Sequence, residues 1–239
     1  MKSPHEYIVF PLDLPRYRDA MHYVEILKDR VGLFKVGLEL FISEGPRILE
    51  AIREAGGAGI FLDLKLHDIP ATVCRALSAC ARYGPELVTV HCDGGVRTLE
   101  TIASNCPQGV KILGVTVLTS LGPDALAEMG YEDRYARDVS SLVLLKAGMA
   151  RKAGFHGVVC SGLEVEAVKR ATGKDFIAVT PGIRPAWSLV EGDDQERIVT
   201  PAHAVRRGAD YLVIGRPIRD ASDPADAAAR VADEIATAL

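Results

Sequence analysis

The chain has 239 residues, 48% hydrophobic and 25% charged, which excludes a disordered, collagen-like or coiled-coil protein and is enough for one large domain with its own core. Its 28 basic and 32 acidic residues leave a formal net charge of −4. That balance gives no electrostatic footprint for nucleic acid and no polybasic membrane patch, so a small-molecule partner is favoured.

Short β-type runs fall at 7–10, 33–36, 60–64, 87–90, 112–117, 157–160, 176–179 and 211–214. Helical periodicity follows each of them, near 16–30, 45–55, 70–82, 95–104, 136–153, 163–171, 201–207 and 224–237. The last is the clearest: Asp223 is placed to cap the first turn, Pro224 suits the first helical position, and Ala228, Val231, Ala232, Ile235 and Leu239 share a face. Eight strand–helix units in a chain of this length predict an α/β fold of the single-domain (β/α)8 TIM-barrel type over 1–239, which typically takes about 250 residues. An open doubly wound sheet is the runner-up. No Gly-x-Gly-x-x-Gly or Walker pattern marks a dinucleotide or nucleoside-triphosphate site.

Two connections are longer than a barrel needs. One runs from Leu121 to Arg134; the other, 182–197, carries the single tryptophan, Trp187, and is the expected lid. The apolar runs are far below the ~18 residues of a membrane span and no signal-like region follows Met1, so a cytoplasmic location is expected. Cys74, Cys80, Cys92, Cys106 and Cys160 show no zinc spacing and read as small buried hydrophobes. Cys92 beside His91 is a poor nucleophile–base pair, because neighbours on a strand point to opposite faces.

Residues 59–70 carry the chemistry. Ile60, Leu62, Leu64 and Leu66 share one face, which in a barrel meets the helices, so Asp63 and Lys65 point inward near the catalytic rim, with Asp68 in the following loop. The same parity turns Lys35 inward between Phe34 and Val36, and Asp13 inward after Leu12. Inward charges must be paired. The array reads as alternating lysines and aspartates, either a self-neutralising tie between strands or a cation held beside reacting atoms. A lysine among carboxylates stays charged, which disfavours a Schiff-base aldolase.

Asp63-Leu-Lys-Leu-His-Asp-Ile-Pro70 resembles the Asp-x-Lys-x-x-Asp signature of the orotidine 5'-phosphate decarboxylase family. Leu12-Asp13, Phe34-Lys35-Val-Gly, Val115-Thr-Val-Leu-Thr-Ser120, Thr180-Pro-Gly-Ile-Arg-Pro185, Gly192-Asp-Asp-Gln195, Arg197-Ile-Val-Thr-Pro201 and Val213-Ile-Gly-Arg-Pro217 stand in the family's order along nearly the whole chain. Ala71 stands where relatives often carry Asn before the residue matching Thr72.

The resemblance implies decarboxylation of orotidine 5'-phosphate to UMP and carbon dioxide, without metal or organic cofactor. Lys65, Asp63, Asp68 and Lys35 would be catalytic. Asp13, Lys35, Asp63, Thr72, Thr119, Ser161, Arg184, Gln195, Gly215 and Arg216 would bind substrate, the arginines, Gly215 and Gln195 at its phosphate. It also implies a homodimer in which Asp68 and Thr72 complete the neighbour's site. His91 is expected to be a hydrogen-bonded barrel histidine, and His67 to pack. Two alternatives remain. One is a magnesium-dependent sugar-phosphate lyase of the same superfamily, whose members place a metal-binding glutamate where this chain has Lys35; a cation there repels magnesium. The other is a non-catalytic nucleotide-binding barrel, which would have no use for two inward lysines.

Overall fold

In the computed structural model, which describes residues 2–188 and 199–239, eight parallel strands close in sequence order. They are β1 (Ile8–Pro11), β2 (Leu33–Val36), β3 (Gly59–Leu66), β4 (Leu87–His91), β5 (Lys111–Val115), β6 (Gly157–Val159), β7 (Ile177–Thr180) and β8 (Tyr211–Val213). The helices are α1 (Tyr17–Leu27), α2 (Leu38–Glu44), α3 (Arg47–Ala55), α4 (Pro70–Ala81), α5 (Gly95–Ser104), α6 (Pro123–Glu128), α7 (Asp133–Ala136), α8 (Val139–Ala153), α9 (Val165–Thr172), α10 (Pro201–Arg206), α11 (Arg216–Arg219) and α12 (Pro224–Ala236).

The period-two pattern sorts each strand's side chains between two cores. Val9, Leu33, Phe61, Leu87, Leu113 and Val179 fill the barrel interior. Phe10, Leu12, Phe34, Val36, Ile60, Leu62, Val88 and Val90 face outward into the layer beneath the helices. Because the interior is packed with side chains, charges are accommodated where the strands open at their ends, and at the C-terminal ends they gather around a cavity.

Local chemistry sets the helix ends. Asp223 Oδ1 accepts from the N–H groups of Ala225 and Asp226, both at 3.0 Å, so α12 starts as expected; Ala228, Val231 and Ile235 are buried, whereas Leu239 is 60% exposed and leaves the face assigned to it. Asp138 Oδ1 accepts from the N–H groups of Ser140 and Ser141, which starts α8 three residues later than periodicity predicts, and Gly154 ends it in the left-handed region at φ +91°.

The expected long connection after Leu121 is not open loop. It contains α6 and α7, which bury Leu126, Ala136 and Leu142 in a small separate cluster. Helices α2 and α11 are also absent from the sequence reading. Both are short, and α2 leaves Leu38 and Ile42 in solvent, 50% and 77% exposed, so its apolar residues do not trace a buried stripe.

Candidate active site

The C-terminal ends of the strands surround a cavity of about 550 Å³. Of the residues singled out in the sequence, Asp13, Lys35, Asp63, Lys65, Thr119, Ser161, Arg184, Gly215 and Arg216 line it. Asp68 and Thr72 do not line this cavity, and Gln195 lies outside the described residues.

Four alternating charges run across three adjacent strands. Lys35 Nζ donates to Asp13 Oδ1 at 3.0 Å and lies 3.6 Å from Asp63 Oδ2, which in turn accepts from Lys65 Nζ at 2.7 Å. Gly37 makes room for the first pair: a Cβ there would stand 3.1 Å from Lys35 Nζ and 3.3 Å from Asp13 Oδ1. Asp63 is 7% exposed. Burial by itself pushes its carboxyl up, but the charges of Lys35 and Lys65, with hydrogen bonds from Lys65 and Thr89, outweigh burial and hold it below the usual carboxylate value.

Strict alternation along β3 stops short of the lysine. Leu62 pairs with Val88 but Leu66 with Val90, so four steps on β3 face two on β4. Lys65 takes up the mismatch at φ +49°, and among the described residues no other non-glycine has a positive φ. Such a conformation costs about 1–3 kcal/mol, and bulges of this kind re-aim a side chain beside a site. Here the bulge keeps both Asp63 and Lys65 at the cavity wall while Leu64 and Leu66 still pack outward.

Where β7 and β8 end, the cavity lining is cationic. Arg184 is 5% exposed, and one guanidinium nitrogen donates to the Ile183 carbonyl at 3.1 Å. Ile183 and Val199 form a parallel bridge that joins the two chain ends flanking 189–198. Arg216 opens α11, and Gly215 before it packs against β1: a Cβ there would lie 2.9 Å from Pro11 Cγ. Arg219 also lines the cavity and was missed in the sequence; its spacing from Arg216 is the signal, once that segment is known to be helical. Thr119 lines the wall, and Ser161 Oγ accepts from the Leu163 N–H at 3.4 Å.

The remaining candidates have structural surroundings. His91 does not line the cavity; its Nδ1 is 3.3 Å from Asp93 Oδ2 and its ring centroid 5.1 Å from that of His67. Burial pushes the Cys92 thiol up to about 12, which leaves no thiolate for nucleophilic chemistry. Trp187 stacks under Arg230, whose guanidinium carbon is 4.1 Å from the ring centroid. Among the described residues no group of three or more His, Cys, Asp and Glu side chains is placed to hold a metal ion, and no helix is long and apolar enough to cross a membrane.

Known proteins are similar to this chain over nearly its whole length. The profile of the orotidine 5'-phosphate decarboxylase / HUMPS family matches residues 6–231. The chain is 52% identical over 239 residues to the orotidine 5'-phosphate decarboxylase of Desulfosudis oleivorans, with 100% of this chain and 96% of that one covered. It is 45% identical over 236 residues to that of Geobacter sulfurreducens, with 96% of each covered. The crystal structure of orotidine 5'-phosphate decarboxylase from Lactobacillus acidophilus matches with a TM-score of 0.81 at 35% identity, covering 95% of this chain and 98% of that one. The barrel with its charged rim therefore belongs to the orotidine 5'-phosphate decarboxylase / HUMPS family.

Proposed function

We propose that this carboxy-lyase converts orotidine 5'-phosphate to UMP and carbon dioxide in pyrimidine biosynthesis. The observation that carries the reading is the Asp13–Lys35–Asp63–Lys65 chain at the ends of β1–β3, lining one cavity together with Arg184 and Arg216, which follow β7 and β8. A nucleoside monophosphate has the matching polarity, with a phosphate at one end and the reacting ring at the other.

Loss of carbon dioxide leaves an electron pair on C6 of the pyrimidine, in an orbital the ring does not delocalise. The Lys65 ammonium stabilises that charge and then gives C6 its proton. Asp63 and Asp68 fix the ammonium, and Lys35 with Asp13 ties Asp63 to the ribose side. One charge pair at about 4 Å in an effective dielectric near 20 is worth roughly 4 kcal/mol, about a thousandfold in rate. Preorganised surroundings supply the rest, together with phosphate binding at Arg184, Arg216, Gly215 and Gln195 and water exclusion by the expected lid at 182–197, of which 189–197 lie outside the described residues. Thr119 and Ser161 hydrogen-bond the pyrimidine edge.

The family also contains magnesium-dependent lyases, and Lys35 weighs against that branch. Its ammonium sits between Asp13 and Asp63, the carboxylates a divalent cation would need. Two features support a homodimer that shares its sites. Asp68 is exposed and Thr72 is half-buried, both away from their own chain's cavity. Beside them, after the C-terminal ends of the adjacent strands β2 and β3, Leu38, Ile42 and Ile69 are 50%, 77% and 66% exposed. A second copy of this chain would cover these side chains and receive Asp68 and Thr72.

The test is turnover of orotidine 5'-phosphate, followed by its absorbance, with excess chelator present. Decarboxylation at an undiminished rate is expected. Absence of turnover, or loss of it with chelator, overturns the reading.

A further inference from the structure

One fully buried hydroxyl joins the two residues of the charged pair. Thr89, 0% exposed on β4, stands opposite the β3 bulge, between Val88 and Val90 that pair with Leu62 and Leu66. Its Oγ1 donates to Asp63 Oδ1 at 3.0 Å and accepts from the Lys65 backbone N–H at 2.8 Å.

We propose that Thr89 is a positioning residue for the chemistry at Lys65, its single hydroxyl locking the bulge on which carboxylate and ammonium are set against each other. In a regular parallel ladder a strand N–H finds a carbonyl on the neighbouring strand; at the bulge, the Lys65 N–H is met by the threonine side chain instead. Without that acceptor, nothing local favours φ +49° at a residue with a side chain. The same hydroxyl spends its proton on Asp63 Oδ1, leaving Oδ2 for Lys65 Nζ at 2.7 Å and Lys35 Nζ at 3.6 Å. Thr89 does not itself line the cavity, so it acts through these two partners.

The inference rests on the decarboxylase reading, and its test separates the two. Wild type, Lys65→Ala, Thr89→Val and Thr89→Ser are assayed together for kcat and UMP affinity. Thr89→Val keeps the shape and removes the hydroxyl; a displacement of ~1 Å at reacting atoms lowers kcat on the order of 100-fold. UMP affinity should stay within about threefold, because the phosphate and base contacts are untouched. Thr89→Ser restores the donor and acceptor and should bring kcat back to within about fivefold of wild type. Thr89→Ala is the substitute if the valine variant does not fold. A kcat within about twofold of wild type for the hydroxyl-less variant, equal loss of kcat and UMP affinity, or failure of serine to rescue overturns the proposal.

Crystal structures of wild type and the hydroxyl-less variant decide the point independently of turnover. Loss of the left-handed Lys65 conformation is expected, and its retention overturns the positioning role. Should wild type not decarboxylate orotidine 5'-phosphate, the functional reading falls, and this comparison still decides what Thr89 does.

Discussion

Lys35 reaches across from β2 to place its ammonium 3.6 Å from Asp63 Oδ2 on β3, with each side chain about nine-tenths buried. The charge of Lys35 is the largest of the influences that lower the Asp63 carboxyl against the burial that raises it. A carboxyl lowered in the folded state contributes stability above its unfolded value of 3.8 and loses it as pH falls through the folded value. Lys35→Met removes a favourable charge, so Asp63 should titrate at higher pH than in wild type. The 13C chemical shift of its carboxyl reports this directly; an unchanged or lowered midpoint would contradict the assigned coupling.

Lys65→Ala should abolish turnover while UMP still binds, since Arg184 and Arg216 remain. Retention of more than about 1% of kcat would mean the ammonium supplies under 3 kcal/mol and would remove Lys65 from its proposed role.

Arg216→Ala should lower kcat/KM although the residue follows β8 and Lys65 lies on β3, because binding energy from a remote phosphate is used in the transition state. Adding phosphite dianion with a substrate that lacks the phosphate should stimulate wild type more than the variant. Equal stimulation of both would displace the phosphate from Arg216.

A mixture of Lys65→Ala and Asp68→Ala chains tests the shared site. In a mixed two-fold dimer with sites built from both chains, one site carries both defects and the other neither. Random exchange of equal amounts makes about half the dimers mixed, so activity should recover to roughly a quarter of wild type. No recovery after demonstrated subunit exchange assigns Asp68 to its own chain.

Away from the cavity, Lys146 on α8 is 8% exposed and donates to Asp93 Oδ1 at 2.6 Å and to the Thr116 carbonyl at 3.0 Å. The His91 ring holds the Asp93 carboxyl well below the usual carboxylate range, with Lys146 and Tyr131 adding to it against burial. Asp93→Asn leaves Lys146 buried without its counter-charge and should cost about 2–3 kcal/mol, less than a fully enclosed pair because Asp93 keeps contact with water. Urea denaturation at neutral pH measures it. The difference from wild type should shrink as pH falls below 3.8 toward the folded value, since over that range the unfolded carboxyl takes up a proton and the native one does not.

Alternation on residues 60–66 pointed Asp63 and Lys65 inward, because side chains on a strand have a period of two and one face must meet the helices, and both line the cavity, although the bulge and not strict alternation sets Lys65 there. Eight strand–helix periods likewise specified the barrel, and parity pointed Asp13 and Lys35 into the cavity that both line. Local pattern carries no record of register between strands. The bulge at Lys65, the single hydroxyl of Thr89 that serves two partners, and Arg219 at the rim depend on which residues of β3 and β4, or of α11 and the cavity, stand opposite each other. Short helices such as α2 and α11 were invisible for a related reason: four to seven residues do not complete a buried stripe, and packing at the barrel rim, not periodicity, holds them helical.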